Sequence, residues 1–347
     1  MSVFTPRSQE KGRTVLADVV PLDTPYVLGI FTGDLCNFRC EYCAHATDGD
    51  ERNNEKQDDL VREFLPWDDF CRIDDMIKEF PHPIKKVLFS SIGEPTLHRR
   101  LPDMIARMTA NEKVQSTELV TNGSLLTPEL SEKLIESGLS RICISIQGMT
   151  EEKYQEICGY HIDYPRFLKQ LDYLYHISRG KCKIHIKTVD LALNGGERES
   201  FLRRYQPLCD SIYIDHVIRL FGGVDYDKLH VATDKKIFSD AYVKNRVLVC
   251  PPLFYTLYVT PACDVVPCCK TPYPIRYGNL HEITLKQAWN GEKRLAFLCQ
   301  ALQGKRFENL VCNQCVLPDS VPFKEDLLDE VAEGILQRLD KSHLEKK

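Results

Sequence analysis

The 347-residue sequence contains no run approaching the ~18 apolar residues that a membrane-spanning helix requires. Its opening, MSVFTPRSQEKGR, is polar and has no apolar centre, which excludes a secretory signal. Charge of one sign is not in excess either. The 45 Lys and Arg residues face 50 Asp and Glu, and a formal net charge of −5 implies no general affinity for nucleic acid. Low-complexity tracts are lacking, as is any internal repeat of about 20–50 residues. The expectation is therefore a soluble, cytoplasmic, globular protein with no nucleic-acid or membrane partner. Cysteine, in contrast, is abundant, with 15 residues. In a reducing compartment such a count points to metal or redox chemistry rather than disulfides.

Up to Arg219 the chain alternates β-branched or aromatic runs with helical patterns. Strands are predicted at Tyr26–Thr32, Lys86–Ser91, Ser116–Thr121, Arg141–Ile146, Lys183–Val189 and Ser211–Val217. Helical patterns lie at Trp67–Phe80, Leu101–Ala110, Pro128–Ser137, Glu151–Ile157, Tyr164–Ser178 and Glu197–Tyr205. This order predicts an α/β fold with a parallel sheet or partial barrel, whose chemistry sits at the C-terminal strand ends. Residues 222–249 read as a connector. Beyond it, Phe254–Val259 and Val265–Cys269 flank Thr260-Pro261-Ala262-Cys263-Asp264, a hairpin signature. One helix is predicted at Leu285–Leu302, and the tail from Phe323 to Leu339 has helical spacing suited to packing back on the body. The expected division is 1–221, 222–249, 250–318 and 319–347.

Cys36-Asn-Phe-Arg-Cys40-Glu-Tyr-Cys43 follows the first strand as a C-x3-C-x2-C run. Three thiolates on one short loop can converge on a metal centre, and thiolates select iron–sulfur clusters or zinc. A closed structural site needs four ligands, whereas three leave an open position for chemistry. A zinc site completed by His45 is the plain alternative. This motif, with Tyr42 before its last cysteine, resembles the signature of the radical S-adenosylmethionine (SAM) superfamily, and the resemblance extends over most of the chain. It implies a partial (β/α)6 TIM-like barrel in which Cys36, Cys40 and Cys43 hold a [4Fe-4S] cluster bound to SAM. Reductive cleavage of SAM would then yield a radical that abstracts hydrogen from the substrate, with an electron donor such as flavodoxin or ferredoxin.

Further elements stand at later strand ends. Ser91-Ile92-Gly93-Glu94-Pro95 resembles the family's G-G-E-P element, with Ile92 replacing the first glycine. Gly93 permits close backbone approach, and Glu94 offers a carboxylate to the ammonium of SAM. Asn122 lies in the turn Thr121-Asn122-Gly123. Ser145-Ile146-Gln147-Gly148 stands where relatives carry S-x-D-G, so Gln147 keeps a hydrogen-bonding group and loses a charge. Lys187, on the fifth strand, is either a partner for the SAM carboxylate or a substrate anion, or a solvated charge.

The C-terminal region carries Cys250, Cys263, Cys268, Cys269, Cys312 and Cys315. Its pattern resembles the SPASM/twitch extension of radical SAM enzymes, a small β-hairpin plus helix iron–sulfur domain. The short twitch version implies one auxiliary [4Fe-4S] cluster on Cys250, Cys268, Cys312 and Cys315. Cys269 is the alternative to Cys268, because adjacent residues on a strand point oppositely; a zinc ribbon is the alternative to the cluster. Cys263 and Cys269 are candidate hydrogen-atom donors near that site. Cys71, Cys143, Cys158, Cys182, Cys209 and Cys299 read as small buried hydrophobes.

Asp215 and His216 end the sixth strand, where a carboxylate can orient a hydroxyl and a histidine can take a proton; a solvated pair is the alternative. Together these features predict a radical SAM oxidoreductase or isomerase acting on a small polar, sugar-like metabolite. The alternatives are maturation of a short ribosomal peptide and a non-catalytic zinc- or iron-binding regulator.

Overall fold

The computed structural model describes residues 13–47, 59–90, 92–231, 246–320 and 323–344. Ser91 of the second predicted strand, 232–245 of the connector and both chain ends lie outside the described residues. Six parallel strands form the body: β1 (Val27–Ile30), β2 (Lys86–Phe89), β3 (Thr117–Thr121), β4 (Arg141–Ile146), β5 (Lys183–Val189) and β6 (Ser211–Asp215). Three more follow, β7 (Thr256–Val259), β8 (Asp264–Val266) and β9 (Gly278–Asn279). Their order in one sheet is β6-β5-β4-β3-β2-β1-β7-β8-β9. The hairpin is thus continuous with the partial barrel: β7 pairs in parallel with β1, Val27 opposite Thr256 and Ile30 opposite Val259.

Strand alternation divides the side chains between two faces. Ile142, Ile144 and Ile146 of β4 join Ile184, Ile186, Ile212 and Ile214 in the main core with helix residues such as Phe70, Met104 and Phe167. The intervening residues face the barrel lumen. In register there, Ser145 lies beside Lys187 and Lys187 beside Tyr213, while Val189 lies beside Asp215. Near β1 the lumen face carries a separate cluster of Phe31, Tyr258, Val266, Tyr273 and Cys269. Gly29 makes room for it, since a Cβ there would sit 2.1 Å from the Tyr258 ring.

Most predicted helices form, with caps supplied by their own sequences. Thr127 accepts from the Leu130 amide and Thr150 from the Lys153 amide. The single helix expected at Leu285–Leu302 is two, Leu285–Asn290 and Glu292–Leu302. Gly291 separates them with φ −73° and ψ 154°, and a Cβ there would approach the Gln287 carbonyl to 2.8 Å. The C-terminal helix begins only at Ala332, after two 3-10 turns. It does pack back on the body: Ile335 and Leu339 are buried, and Arg338 donates to the Ala17 carbonyl at 2.7 Å. Among the described residues, no helix is long and apolar enough to cross a membrane.

Candidate active site

The three-cysteine loop leaves the C-terminal end of β1 and is held from both sides. Arg39 and Glu41 donate their amides to the carbonyls of Cys158 and Ile157, at 2.8 and 2.9 Å. The Cys43 amide donates to the Cys40 carbonyl at 2.9 Å, turning the loop back on itself. Burial pushes the Cys36 thiol up to about 12; the Phe38 amide opposes this, and Glu94, Cys40 and Cys43 add to it. Cys40 is raised first by a hydrogen bond with Cys158 and then by burial.

Gly93 is where the β2 end touches this loop. A Cβ on it would lie 2.4 Å from the Leu35 carbonyl and 2.7 Å from that of Gly33, so only glycine fits the approach. The next amide, Glu94, donates to the Leu35 carbonyl at 2.8 Å. The Glu94 carboxylate is buried and accepts four hydrogen bonds, from the Thr96 amide and hydroxyl, the Thr121 hydroxyl and the Asn122 amide. Burial raises its carboxyl against these donors. Its visible work is to tie the β2 end to the β3 end. Asn122 in turn donates to Asn37 of the cysteine loop at 2.9 Å, and Asn37 donates to Ser124 at 2.9 Å. Gln147 accepts from the Tyr42 hydroxyl at 2.5 Å. The strand-end residues therefore form a scaffold under the cysteine loop. Asn37, Thr96, Thr121 and Ser124 carried no signal in the sequence beyond being short polar turn residues.

At the N-terminal ends of β1 and β2, Cys250, Cys268, Cys269, Cys312 and Cys315 line one cavity of about 710 Å³ with Tyr26, Val27, Lys85 and Lys86. Strand alternation does not separate Cys268 from Cys269, because β8 ends at Val266 and the chain bends before them. Burial pushes Cys269 up to about 11 together with Cys315, and the Lys187 and Lys270 ammonium groups oppose it. Arg306 is 4% exposed among these thiols, and its Nε and Nη2 find no hydrogen-bond partner among the described residues. An anionic thiolate-ligated cluster supplies what this buried cation lacks.

Among the described residues, the one trio of Cys, His, Asp or Glu donor atoms all within 4.8 Å of each other is Asp69, Cys263 and His281.

Cys263 departs from expectation. It sits at the β7–β8 turn in the main core, not in the cavity of the other five cysteines. Cys263 and Val265 belong to the main core, whereas Val266 and Cys269 belong to the cluster around Phe31 and Tyr273. At the β6 end, Asp215 is buried, and His216 is bonded through Nδ1 to Asp190 at 2.8 Å. Asp190, at the end of β5, also accepts from the Leu191 and Val217 amides; its role was not legible in the sequence.

A radical SAM superfamily model matches residues 30–203, from β1 through the Arg198–Tyr205 helix. The chain belongs to the radical SAM superfamily. An iron–sulfur cluster-binding (SPASM) domain model matches residues 250–316. The protein is therefore a radical SAM enzyme that uses a [4Fe-4S] cluster with SAM and auxiliary iron–sulfur chemistry. Curated relatives include the GTP 3',8-cyclases of Staphylococcus carnosus, 34% identical over 157 residues, and Staphylococcus haemolyticus, 33% over 153. The two matches span 44% and 43% of this chain and 43% and 42% of those proteins, less than half their length. Solved structures share the fold. SuiB of Streptococcus suis bound to S-adenosylmethionine has a TM-score of 0.60 at 16% identity, covering 89% of this chain and 79% of that one. The anSMEcpe structure with bound AdoMet gives 0.58 at 15% identity, covering 93% and 94%. BtrN in complex with AdoMet and 2-DOIA gives 0.51 at 16% identity, covering 84% and 92%.

Proposed function

We propose that this radical SAM enzyme oxidises a small polar metabolite, sugar-like in its hydroxyl content, held in the barrel lumen. The observation that carries the reading is the polar group at the β5 and β6 ends, where His216 is bonded through Nδ1 to Asp190 at 2.8 Å next to the buried Asp215. Cys36, Cys40 and Cys43 hold the SAM-binding cluster, and Cys250, Cys268, Cys312 and Cys315 one auxiliary cluster, with Cys269 beside it as a further thiol. When bound, the first cluster with SAM supplies hydrogen-atom abstraction and the auxiliary cluster a one-electron acceptor.

This chain's residues do the rest. Ser145, Asn122 and Gln147 shape the floor against which SAM lies, and Glu94 fixes the strand ends that carry them. Lys187 pairs with an anionic or hydroxylated group of the substrate. Asp215 orients the substrate hydroxyl. His216, its Nδ1 hydrogen held by Asp190, has Nε2 to take the hydroxyl proton. The substrate thus loses one hydrogen atom, one proton and one electron, which balances conversion of a secondary alcohol to a ketone. An external donor such as flavodoxin or ferredoxin reduces the first cluster. The names of GTP 3',8-cyclase and of the 2-DOIA complex of BtrN support a small-molecule substrate.

The test uses anaerobically reconstituted enzyme with SAM, dithionite and a panel of deuterated polyols and aminocyclitols. Deuterium appearing in 5′-deoxyadenosine, with one ketone formed per SAM consumed, is the expected outcome. Stimulation by peptides alone, as with the precursor peptide bound by SuiB, would overturn the small-molecule reading.

A further inference from the structure

We propose that Asp69, Cys263 and His281 form a site for one divalent transition-metal ion, zinc by preference, that fastens the β7–β8 turn to the Trp67–Ile77 helix. The three residues come from separate segments: the first turn of that helix, the hairpin turn and the chain after β9. Their donor atoms nevertheless all lie within 4.8 Å of one another. A thiolate, an imidazole and a carboxylate are the ligand types that zinc combines, with water in the fourth position.

The turn itself argues that Cys263 is there for its sulfur. Cys263 has φ +63°, and its amide donates to the Thr260 carbonyl at 2.9 Å. That is the left-handed position closing a short hairpin loop, where glycine is the favoured residue. A cysteine there, 2% exposed, keeps a disfavoured backbone to place a thiol against Asp69. The supporting bonds are in place. Asn279 donates to the Ala262 carbonyl at 2.8 Å and to Asp264 at 3.0 Å, and it accepts from the His281 amide at 3.0 Å. The trio already attracts a cation. Arg72 lies 2.8 Å from His281 Nδ1 and 3.7 Å from Asp69, and its half-exposed side chain can swing into solvent when a metal enters.

The experiment uses iron-reconstituted holoenzyme titrated anaerobically with zinc. Iron and zinc are counted by mass spectrometry, and the zinc shell is read by X-ray absorption. The expected result is one zinc per chain with iron unchanged, and a shell of one sulfur with nitrogen and oxygen. Cys263→Gly preserves the fold, because glycine suits the turn, and it should lose the zinc while keeping all iron. His281→Ala should weaken zinc at least tenfold, and Arg72→Leu should tighten it. A zinc shell of three or four sulfurs, zinc retained by Cys263→Gly, or no stoichiometric zinc in the unmodified enzyme would each overturn the proposal.

Discussion

Gly93→Ala adds one methyl group at the contact between the β2 end and the cysteine loop. Its Cβ would meet the Leu35 carbonyl at 2.4 Å, the Gly33 carbonyl at 2.7 Å and the Leu35 amide nitrogen at 2.9 Å. All three are backbone atoms of the segment leading into Cys36, so no side chain can rotate away. Restoring a tolerable contact of about 3.2 Å needs a relative shift of about 0.8 Å. The shift strains the 2.8 Å bond from the Glu94 amide to the Leu35 carbonyl, worth about 1 kcal/mol. Overpacking adds about 1–3 kcal/mol, so Tm should fall by roughly 4–8 °C at about 2 °C per kcal/mol. A misplacement approaching 1 Å beside the SAM-binding cysteines should lower turnover by about ten- to a hundredfold. Iron content should change little, because the three thiols remain. Differential scanning fluorimetry, iron analysis and 5′-deoxyadenosine release measure the three quantities. A variant with Tm within 1 °C, by that ~2 °C scale, and turnover within about twofold would refute the claim that Gly93 sets this contact.

Arg306→Leu removes the buried cation among the auxiliary thiols; iron should drop from about eight toward about four per chain, and Arg306→Lys should retain more than the leucine variant. Asp190→Asn leaves His216 with a weaker acceptor at Nδ1, and substrate oxidation should slow by about tenfold or more while SAM cleavage continues, a split read by comparing ketone with 5′-deoxyadenosine. Gly334→Ala places a methyl in open space within the Ala332–Leu344 helix, and stability should rise by about 0.5–1 kcal/mol in chemical denaturation.

Much of this protein was legible in one dimension. Apolar periodicity located the six barrel strands because alternation and helical spacing are local consequences of burial, and β4 and β5 have the expected bounds. The C-x3-C-x2-C loop was equally legible, since three ligands of one centre close in sequence need no long-range pairing to converge. Tertiary structure decided the rest. That Glu94 spends its carboxylate on Thr96, Thr121 and Asn122, and that Asp190 holds His216, follow from which strand ends become neighbours. Cys268 and Cys269 share a cavity because the chain bends after β8, which strand alternation cannot report. The union of hairpin and barrel rests on the β1–β7 ladder, a pairing of segments more than two hundred residues apart. Cysteine spacing determined which chemistry this chain carries. Only strand order and turn geometry decided that Cys250, Cys268, Cys269, Cys312 and Cys315 line one cavity while Cys263 lies in the main core near Asp69 of the Trp67–Ile77 helix.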